Sequence, residues 1–302
     1  MDGILVVRKE AGYTSNDVVA VVRGILHTRR IGHTGTLDPD ATGVLPVCIG
    51  GATRAVELLM AERKVYRAEM VFGFETDTQD LGGQVTERRD YVFSREAFDA
   101  AVRKWTGDIL QVPPMYSARK VGGVRLYDLA RRGRDVVREP KPVTIHQIQV
   151  DAVDESGAVL TIICSKGTYI RSLVTDIGRD AGFLATMSRL ERLQSGRFTL
   201  DQSQTIKQIE DLAHAGHIEE YILSLDSLFA DDPPVTVEAA EDKLLLNGNP
   251  LKIDAEKIPP EARVPGSHLR MYTSDHRFIG LYEVQTAGDI CRVRAFKMFI
   301  SS

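Results

Sequence analysis

The chain reads as an α+β protein: a large mixed domain followed by a small β-rich module. Three observations predict this. Residues 143–153 and 158–165 are rich in Val, Ile and Thr and are split by Glu155-Ser156-Gly157, a hairpin signature. Between such strand-like runs lie segments with helical periodicity and local caps. After Asp231-Asp232-Pro233-Pro234, which reads as a linker, only short strand-like runs remain.

The elements follow in order. Gly3 to Val7 predicts a strand. Ser15 can cap a helix to about Arg30, with Val18, Val19, Val22, Ile25 and Leu26 on one face. A glycine- and proline-broken stretch follows, and then an apolar run from Val44 to Ile49 that can anchor it in a core. The pattern next predicts a helix over 53–60 and a strand over 65–74, with a polar, turn-rich stretch over 76–83. Ser94 can cap a helix to Trp105. Beyond the hairpin, a helix from about Ile170 to Ala181 ends at Gly182, a glycine suited to the left-handed cap. Another helix covers 206–215. The terminal strands are expected over 235–238, 269–273, 278–284 and 291–296. The resulting division is 1–230 and 231–302.

Length and composition bound the function classes. A chain of 302 residues can bury a large core. The apolar run 4–7 is too short for a signal segment, and no stretch reaches membrane-spanning length, so a cytoplasmic protein is expected. Cys48, Cys164 and Cys291 are far apart with no CxxC. That suggests neither a zinc site nor a disulfide framework, and fits a reducing compartment. Net charge is -4, and residues 231–302 hold 9 Lys/Arg and 11 Asp/Glu of the chain's 38 and 42. Each part is therefore near neutral, and any nucleic-acid surface must come from local clustering.

Residues 32–47, GHTGTLDPDATGVLPV, carry the most chemical information. Gly32, Gly35, Pro39 and Gly43 exclude a regular helix or a central strand, so Asp38 and Asp40 are expected on a shaped loop. Taken alone, Asp-Pro-Asp is ordinary turn chemistry. Asp38-Pro39-Asp40-Ala41-Thr42 also fits the DxDxT of phosphatases that form an aspartyl phosphate. That use requires a buried parallel strand before the motif, and Gly-His-Thr-Gly-Thr-Leu is not one.

A second region, 111–141, is locally basic. From Arg119 to Lys141 it carries Arg119, Lys120, Arg125, Arg131, Arg132, Arg134, Arg138 and Lys141 against Asp128, Asp135 and Glu139. An excess of five positive charges can neutralise several phosphates. Tyr116 and Tyr127 lie among the charges and suit contact with unstacked bases. On charge alone, a solvated surface helix explains the segment as well. Two more strings stand out: Lys64-Val65-Tyr66-Arg67, and Ser165-Lys166-Gly167-Thr168-Tyr169-Ile170-Arg171-Ser172-Leu173, which places an Arg just inside a helix start.

Five ordered blocks over nearly all of residues 3–200 closely resemble the TruB-type tRNA pseudouridine synthases. They are the GHTGTLDP loop, KVYR, GFETDTQDLGG, the QxPPxYSAxKxxGxRLYxxAR segment and KGTYIRSL. The resemblance implies the pseudouridine synthase fold, a mixed and largely antiparallel sheet with helices, in which 111–141 is an insertion gripping RNA. It implies conversion of uridine 55 in the tRNA T-loop to pseudouridine, with the target base flipped into a pocket. No cofactor and no metal are implied, and the expected partner of a monomeric enzyme is the tRNA T-arm. Asp38 matches the nucleophile and Tyr66 the ring that stacks on the target base. Arg171 matches the partner of the catalytic carboxylate; its charge is expected to lower the Asp38 pKa. Tyr169 and Leu190 match base-pocket residues, and His33 the residue that displaces and holds the nucleotide. Lys9 matches the N-terminal KPxGxTSN motif, as do Ser15 and Asn16, and is expected among the binding residues with Arg119, Lys120, Arg125, Arg131 and Arg132. Glu10 stands where the family usually has Pro. Loop capping is expected of Asp77 and Asp80, and turn holding of Asp40. Residues 231–302 resemble a PUA-like RNA-binding module. A non-catalytic RNA binder would have no use for the Asp38–Arg171 pair.

Overall fold

The computed structural model describes residues 2–60, 62–117, 119–133 and 136–299, with only the backbone of Lys120, Val121, Arg125 and Arg131. The chain opens with β1 (Gly3–Lys9) and α1 (Ser15–Ile25), followed by β2 (Ile31–His33) and β3 (Thr42–Ile49). Next come α2 (Val56–Met60), β4 (Lys64–Phe72), β5 (Phe74–Thr76), β6 (Val85–Arg88), α3 (Arg95–Lys104) and β7 (Gly107–Gln111). The basic segment holds β8 (Lys120–Val121), β9 (Val124–Arg125) and α4 (Leu126–Arg131). The long hairpin β10 (Lys141–Val153) and β11 (Gly157–Cys164) leads to α5 (Ile170–Ala181), β12 (Ala185–Ser195), β13 (Phe198–Thr199), α6 (Ile206–Ala215) and β14 (Ile222–Leu223).

Ten of these strands form one sheet in the order β14-β1-β3-β12-β4-β11-β10-β7, with β2 beside β3 and β13 beside β12, while β5 pairs with β6 and β8 with β9. Its pairs are antiparallel except β3 with β12, which meet in parallel at Thr42–Gly43. The fold is thus α+β with a mixed, largely antiparallel sheet. β1 and β3 are buried on both faces, and this is why their sequences read as nearly continuous apolar runs. Leu5, Val7, Leu45 and Val47 meet Val18 and Val22 of α1 and Ile209 of α6. On the other face Ile4, Val6, Val44 and Cys48 meet Leu281 and Phe299. Further along the sheet, Tyr66, Phe72, Leu160 and Ile162 pack against Phe98 of α3 and Leu173 and Ile177 of α5.

The C-terminal residues form a second, five-stranded, curled sheet. Its strands are β15 (Pro234–Thr236), β16 (Leu251–Asp254), β17 (His268–Tyr272), β18 (Phe278–Thr286) and β19 (Ile290–Met298), in the order β15-β17-β18-β19-β16. A core of its own, with Val235, Leu251, Leu269, Met271, Tyr282 and Val293, fills it.

Several expectations need correction. Thr14, not Ser15, caps α1: its hydroxyl accepts from Asp17 N and Asp17 Oδ2 accepts from Thr14 N, a reciprocal capping box. The helix stops at Ile25, and His27 adopts φ 47°, a left-handed conformation no helix continues through. The glycines and Pro46 do not keep β3 out of the sheet interior. Pro46 pairs with Val6, whose carbonyl faces Gln204 rather than β3, so the site of the missing N–H points away from β1. The helix expected over 53–60 begins as a 3₁₀ turn, Gly50–Ala55. The strand expected over 65–74 breaks at Gly73, where φ is 94°, and Phe74–Thr76 pairs with β6 instead. Strands β2, β7, β12 and β16 and the short helix α7 (Asp242–Leu246) had no counterpart in the sequence pattern.

Candidate active site

Residues 34–41 form the loop between β2 and β3, and they are pinned from three sides. Lys9 is fully buried, and its Nζ donates to Pro39 O (2.7 Å), Ala41 O (2.6 Å) and Glu10 O (3.0 Å). Burial pulls its pKa down to about 8, against the opposing charges of Asp40 and Asp38. Ser15 Oγ accepts from Leu37 N (2.8 Å) and donates to Leu37 O (3.2 Å). Arg192 from β12 donates to Val44 O (2.7 Å), Gly35 O (3.1 Å) and Thr36 O (3.5 Å). Gly43 completes the approach: with φ 103°, any Cβ there would sit 2.2 Å from Arg192 O. Leu37 and Ala41 are buried in the core, and Ala41 N donates to Asp38 O at 3.1 Å to close the tip. The carboxylate of Asp38 is thereby presented at the apex of a fixed turn.

Arg171, second residue of α5, meets it edge-on. Nε lies 2.9 Å from Asp38 Oδ2 and Nη2 3.1 Å from Oδ1, a bidentate pair. The guanidinium is itself buried (side chain 6 % exposed) and held by Thr78 O and Tyr116 O, each at 2.8 Å. Asp80 Oδ2 stands 3.4 Å from Nη1. Asp80 also caps its own loop, accepting from Thr78 Oγ1 and Gly82 N. The expected depression of the Asp38 pKa is not what results. Burial raises it and Asp80 adds to the rise, and together they outweigh the Arg171 charge; the net direction is upward. The side chain is nevertheless 38 % exposed, so the burial acts on the edge facing Arg171 while the other edge opens to the cavities.

Two cavities meet at this pair. The smaller, about 290 Å³, is lined by Asp38, Arg171, Tyr66, Tyr169, Leu190 and Lys64 among others. Tyr66 is buried, and burial raises its pKa although the neighbouring Arg192 opposes the rise. Tyr169 is fixed through its backbone by Gln111, whose Oε1 accepts from Tyr169 N (2.8 Å) and whose Nε2 donates to Tyr169 O (3.0 Å). The larger cavity, about 860 Å³, contains His33, Asn16, Tyr116 and Tyr127. Thr36, Leu37, Asp38, Ser117 and Arg171 border both. His33 Nδ1 accepts from Gly35 N at 3.2 Å, which leaves the proton on Nε2. Burial and the Arg192 charge lower its pKa, so the ring is neutral at pH 7. Two buried hydroxyls on the wall of the smaller cavity, Thr34 Oγ1 and Ser117 Oγ, have no hydrogen-bond partner.

The structure therefore brings Asp38, Arg171, Tyr66, Tyr169 and Leu190 around one cavity and His33 around the adjoining one. Lys9 departs from expectation. All three of its ammonium hydrogens are directed at backbone carbonyls, so it fastens the loop and has no donor left for a ligand. Asp40 is exposed, and the turn is closed by backbone and by Lys9 rather than by its carboxylate. Arg119 is half-buried and Arg132 exposed on the basic segment. The side chains of Lys120, Arg125 and Arg131, and all of Arg134, lie outside the described residues. Arg192 was not anticipated; Lys64 and Ser117 lie in strings the sequence singled out but had no expected role, and Asp80, which caps its loop as expected, also faces Arg171. The places of these side chains in the site are set by contacts between distant segments. Among the described residues, no group of three or more His, Cys, Asp or Glu is gathered as metal ligands would be. Among the described residues, no helix is long and apolar enough to cross a membrane.

Comparison with known proteins agrees with this geometry. Residues 23–170 match the model of the TruB family pseudouridylate synthase N-terminal domain. Residues 171–230 match that of the tRNA pseudouridylate synthase B C-terminal domain. The chain is 45 % identical over 233 residues to a tRNA pseudouridine synthase B of Bacillus pumilus (strain SAFR-032), covering 75 % of each. It is 42 % identical over 281 residues to that of Clostridium novyi (strain NT), covering 93 % of this chain and 95 % of the relative. Among solved structures, a chain of a Cbf5-Nop10-Gar1 complex shares the fold with TM-score 0.72 at 24 % identity, covering 99 % of this chain and 85 % of that one.

Proposed function

The chain belongs to the TruB family of pseudouridylate synthases, and from that premise we propose that it converts uridine 55 in the T-loop of tRNA to pseudouridine, with Asp38 as the nucleophile. The observation that carries this reading is the Asp38–Arg171 pair at the junction of the two cavities. The smaller cavity offers a ring, Tyr66, an apolar side chain, Leu190, and orphan hydroxyls, which suits a flipped pyrimidine. The larger takes the sugar-phosphate chain on either side, with neutral His33 holding the displaced nucleotide by shape and a polar tip. The sugar then lies at the junction, within reach of the Asp38 carboxylate.

The reaction breaks the C1′–N1 bond, turns the uracil within the pocket and joins C1′ to C5; C5 gives up its proton and N1 takes one up, so that the product is an isomer of the substrate. Electrons and atoms balance within the nucleotide. Arg171 aims the carboxylate. Its fork fixes both oxygens, so Asp38 approaches the sugar in one orientation. Arg119 and Arg132 of the basic segment bind T-arm phosphates, together with Lys120, Arg125 and Arg131. Residues 1–230 form the catalytic unit and 231–302 a module that adds RNA surface. The enzyme acts as a monomer.

Mapping carbodiimide-reactive pseudouridine in an unmodified tRNA transcript tests the proposal. The expected signal is at position 55 and depends on the protein. Signal at another position, or in another RNA only, would contradict it.

A further inference from the structure

Four cations are buried among the described residues, Lys9, Lys64, Arg171 and Arg192, and the inference drawn for Arg192 rests on the reading above. Arg192 is 1 % exposed and is the largest of the fully buried side chains. The acceptors it meets are neutral oxygens: Val44 O, Gly35 O and Thr36 O. Tyr66 stands opposite it in the strand register and beside it on the wall of the small cavity. Burying a guanidinium on neutral acceptors is costly, and a Leu or Met would fill the same volume in the sheet without the charge. Packing alone therefore does not account for it.

What distinguishes Arg192 is the set of groups it joins. Gly35 and Thr36 form the arm of the loop that leads into Asp38, and Val44 lies just beyond the loop in β3. Tyr66 is on β4, the neighbour of β12 on its other side, where Arg192 pairs with it in the strand register. Lys9 and Ser15 hold the loop only at residues 37, 39 and 41. The arm at 35–36 is held through its carbonyls by Arg192 and through Gly35 N by His33 Nδ1, and the same guanidinium lines the small cavity beside the ring and the carboxylate.

We propose that Arg192 is a positioning residue for the isomerisation: its planar fork registers the Asp38 loop and the Tyr66 ring to each other across the base cavity. A lysine cannot do this, because a single ammonium lacks the planar fork that reaches Gly35 O and Thr36 O on one side of the loop and Val44 O on the other while lying beside the Tyr66 ring.

The test measures single-turnover rate, tRNA affinity and melting temperature for Arg192→Lys and Arg192→Gln, alone and combined with Tyr66→Phe. Both single variants are expected to bind tRNA within about threefold of wild type and to lose roughly 100-fold in rate, as for about 1 Å of misplacement. Coupling is the decisive readout. In the Arg192→Gln background, Tyr66→Phe should cost well under half of its wild-type fold-loss, because the Tyr66 side chain has already lost its register to the loop. Losses that simply multiply, or a folded Arg192→Lys with wild-type rate, would overturn the proposal. So would a loss confined to affinity. If Arg192→Gln fails to fold, the Arg192→Lys cycle with Tyr66→Phe decides alone. A wild-type protein that forms no pseudouridine would instead overturn the functional reading.

Discussion

Residues 34–41 are fastened by side chains from three elements: Lys9 of β1, Ser15 of α1 and Arg192 of β12. Residues 111–141 are tied to the start of α5 at Gln111 and Tyr116, and several of their other bonds stay within the segment. Leu126 N donates to Arg119 O, Tyr127 N to Ser117 O, and Arg138 Nη1 to Pro113 O at 3.2 Å. Among the described side chains of the segment's short helix, Leu126 and Leu129 are buried. The first region presents one carboxylate in one orientation, and the second presents cations on short, solvated elements. The difference follows from what each must meet. A bond-breaking step is sensitive to displacements of about 1 Å, whereas attraction to a polyanion is long-ranged and tolerates adjustment.

Lys9→Met attacks the fixed region and is expected to lower both stability and rate. It strips Pro39 and Ala41 carbonyls of a buried donor, at about 1–3 kcal/mol for each group left unsatisfied. The urea midpoint should fall and the single-turnover rate should drop at least tenfold while tRNA affinity holds; unchanged stability would mean that Lys9 is not a clamp.

The acid limb of kcat/KM comes next. The raised Asp38 pKa means that the protonated, inactive form persists to higher pH than for an ordinary carboxyl. Activity is present above that pKa and is lost as pH falls through it. The midpoint should lie above about 3.9, the unperturbed Asp value. A midpoint at or below that value would show the Arg171 charge prevailing over burial.

The basic segment should respond differently. Arg132→Ala is expected to weaken binding modestly and to reduce the slope of log K against log salt by about one, with the rate of bound tRNA unchanged. A rate defect with an unchanged slope would erase the contrast between the two regions. The smallest effect is expected of Asp40→Ala, within about threefold of wild-type activity, since the turn closes without its carboxylate.

The two regions also differ in how far the sequence discloses them. Helices at 170–181 and 206–215 were legible to the residue, because Gly182, Thr205 and Gly216 stop or start them locally. Asp38, Tyr66, Arg171, Tyr169 and Leu190 stood out through family-like strings, and they lie around one cavity. Strand β12 was hidden. Arg189 and Glu191 face solvent as partners of Glu69 and Arg8, and buried Arg192 breaks the apolar alternation that marks a strand. The positions of Arg192 and Asp80 depend on partners far away in sequence, Val44 and Arg171, and no local pattern encodes such a meeting.

The most direct test is Asp38→Asn assayed for pseudouridine by single turnover beside a tRNA-binding measurement. The account predicts no detectable product with affinity within about threefold of wild type, because the substitution spares the RNA grip and removes only the nucleophile. Product formed at a rate near wild type by the purified variant would contradict it.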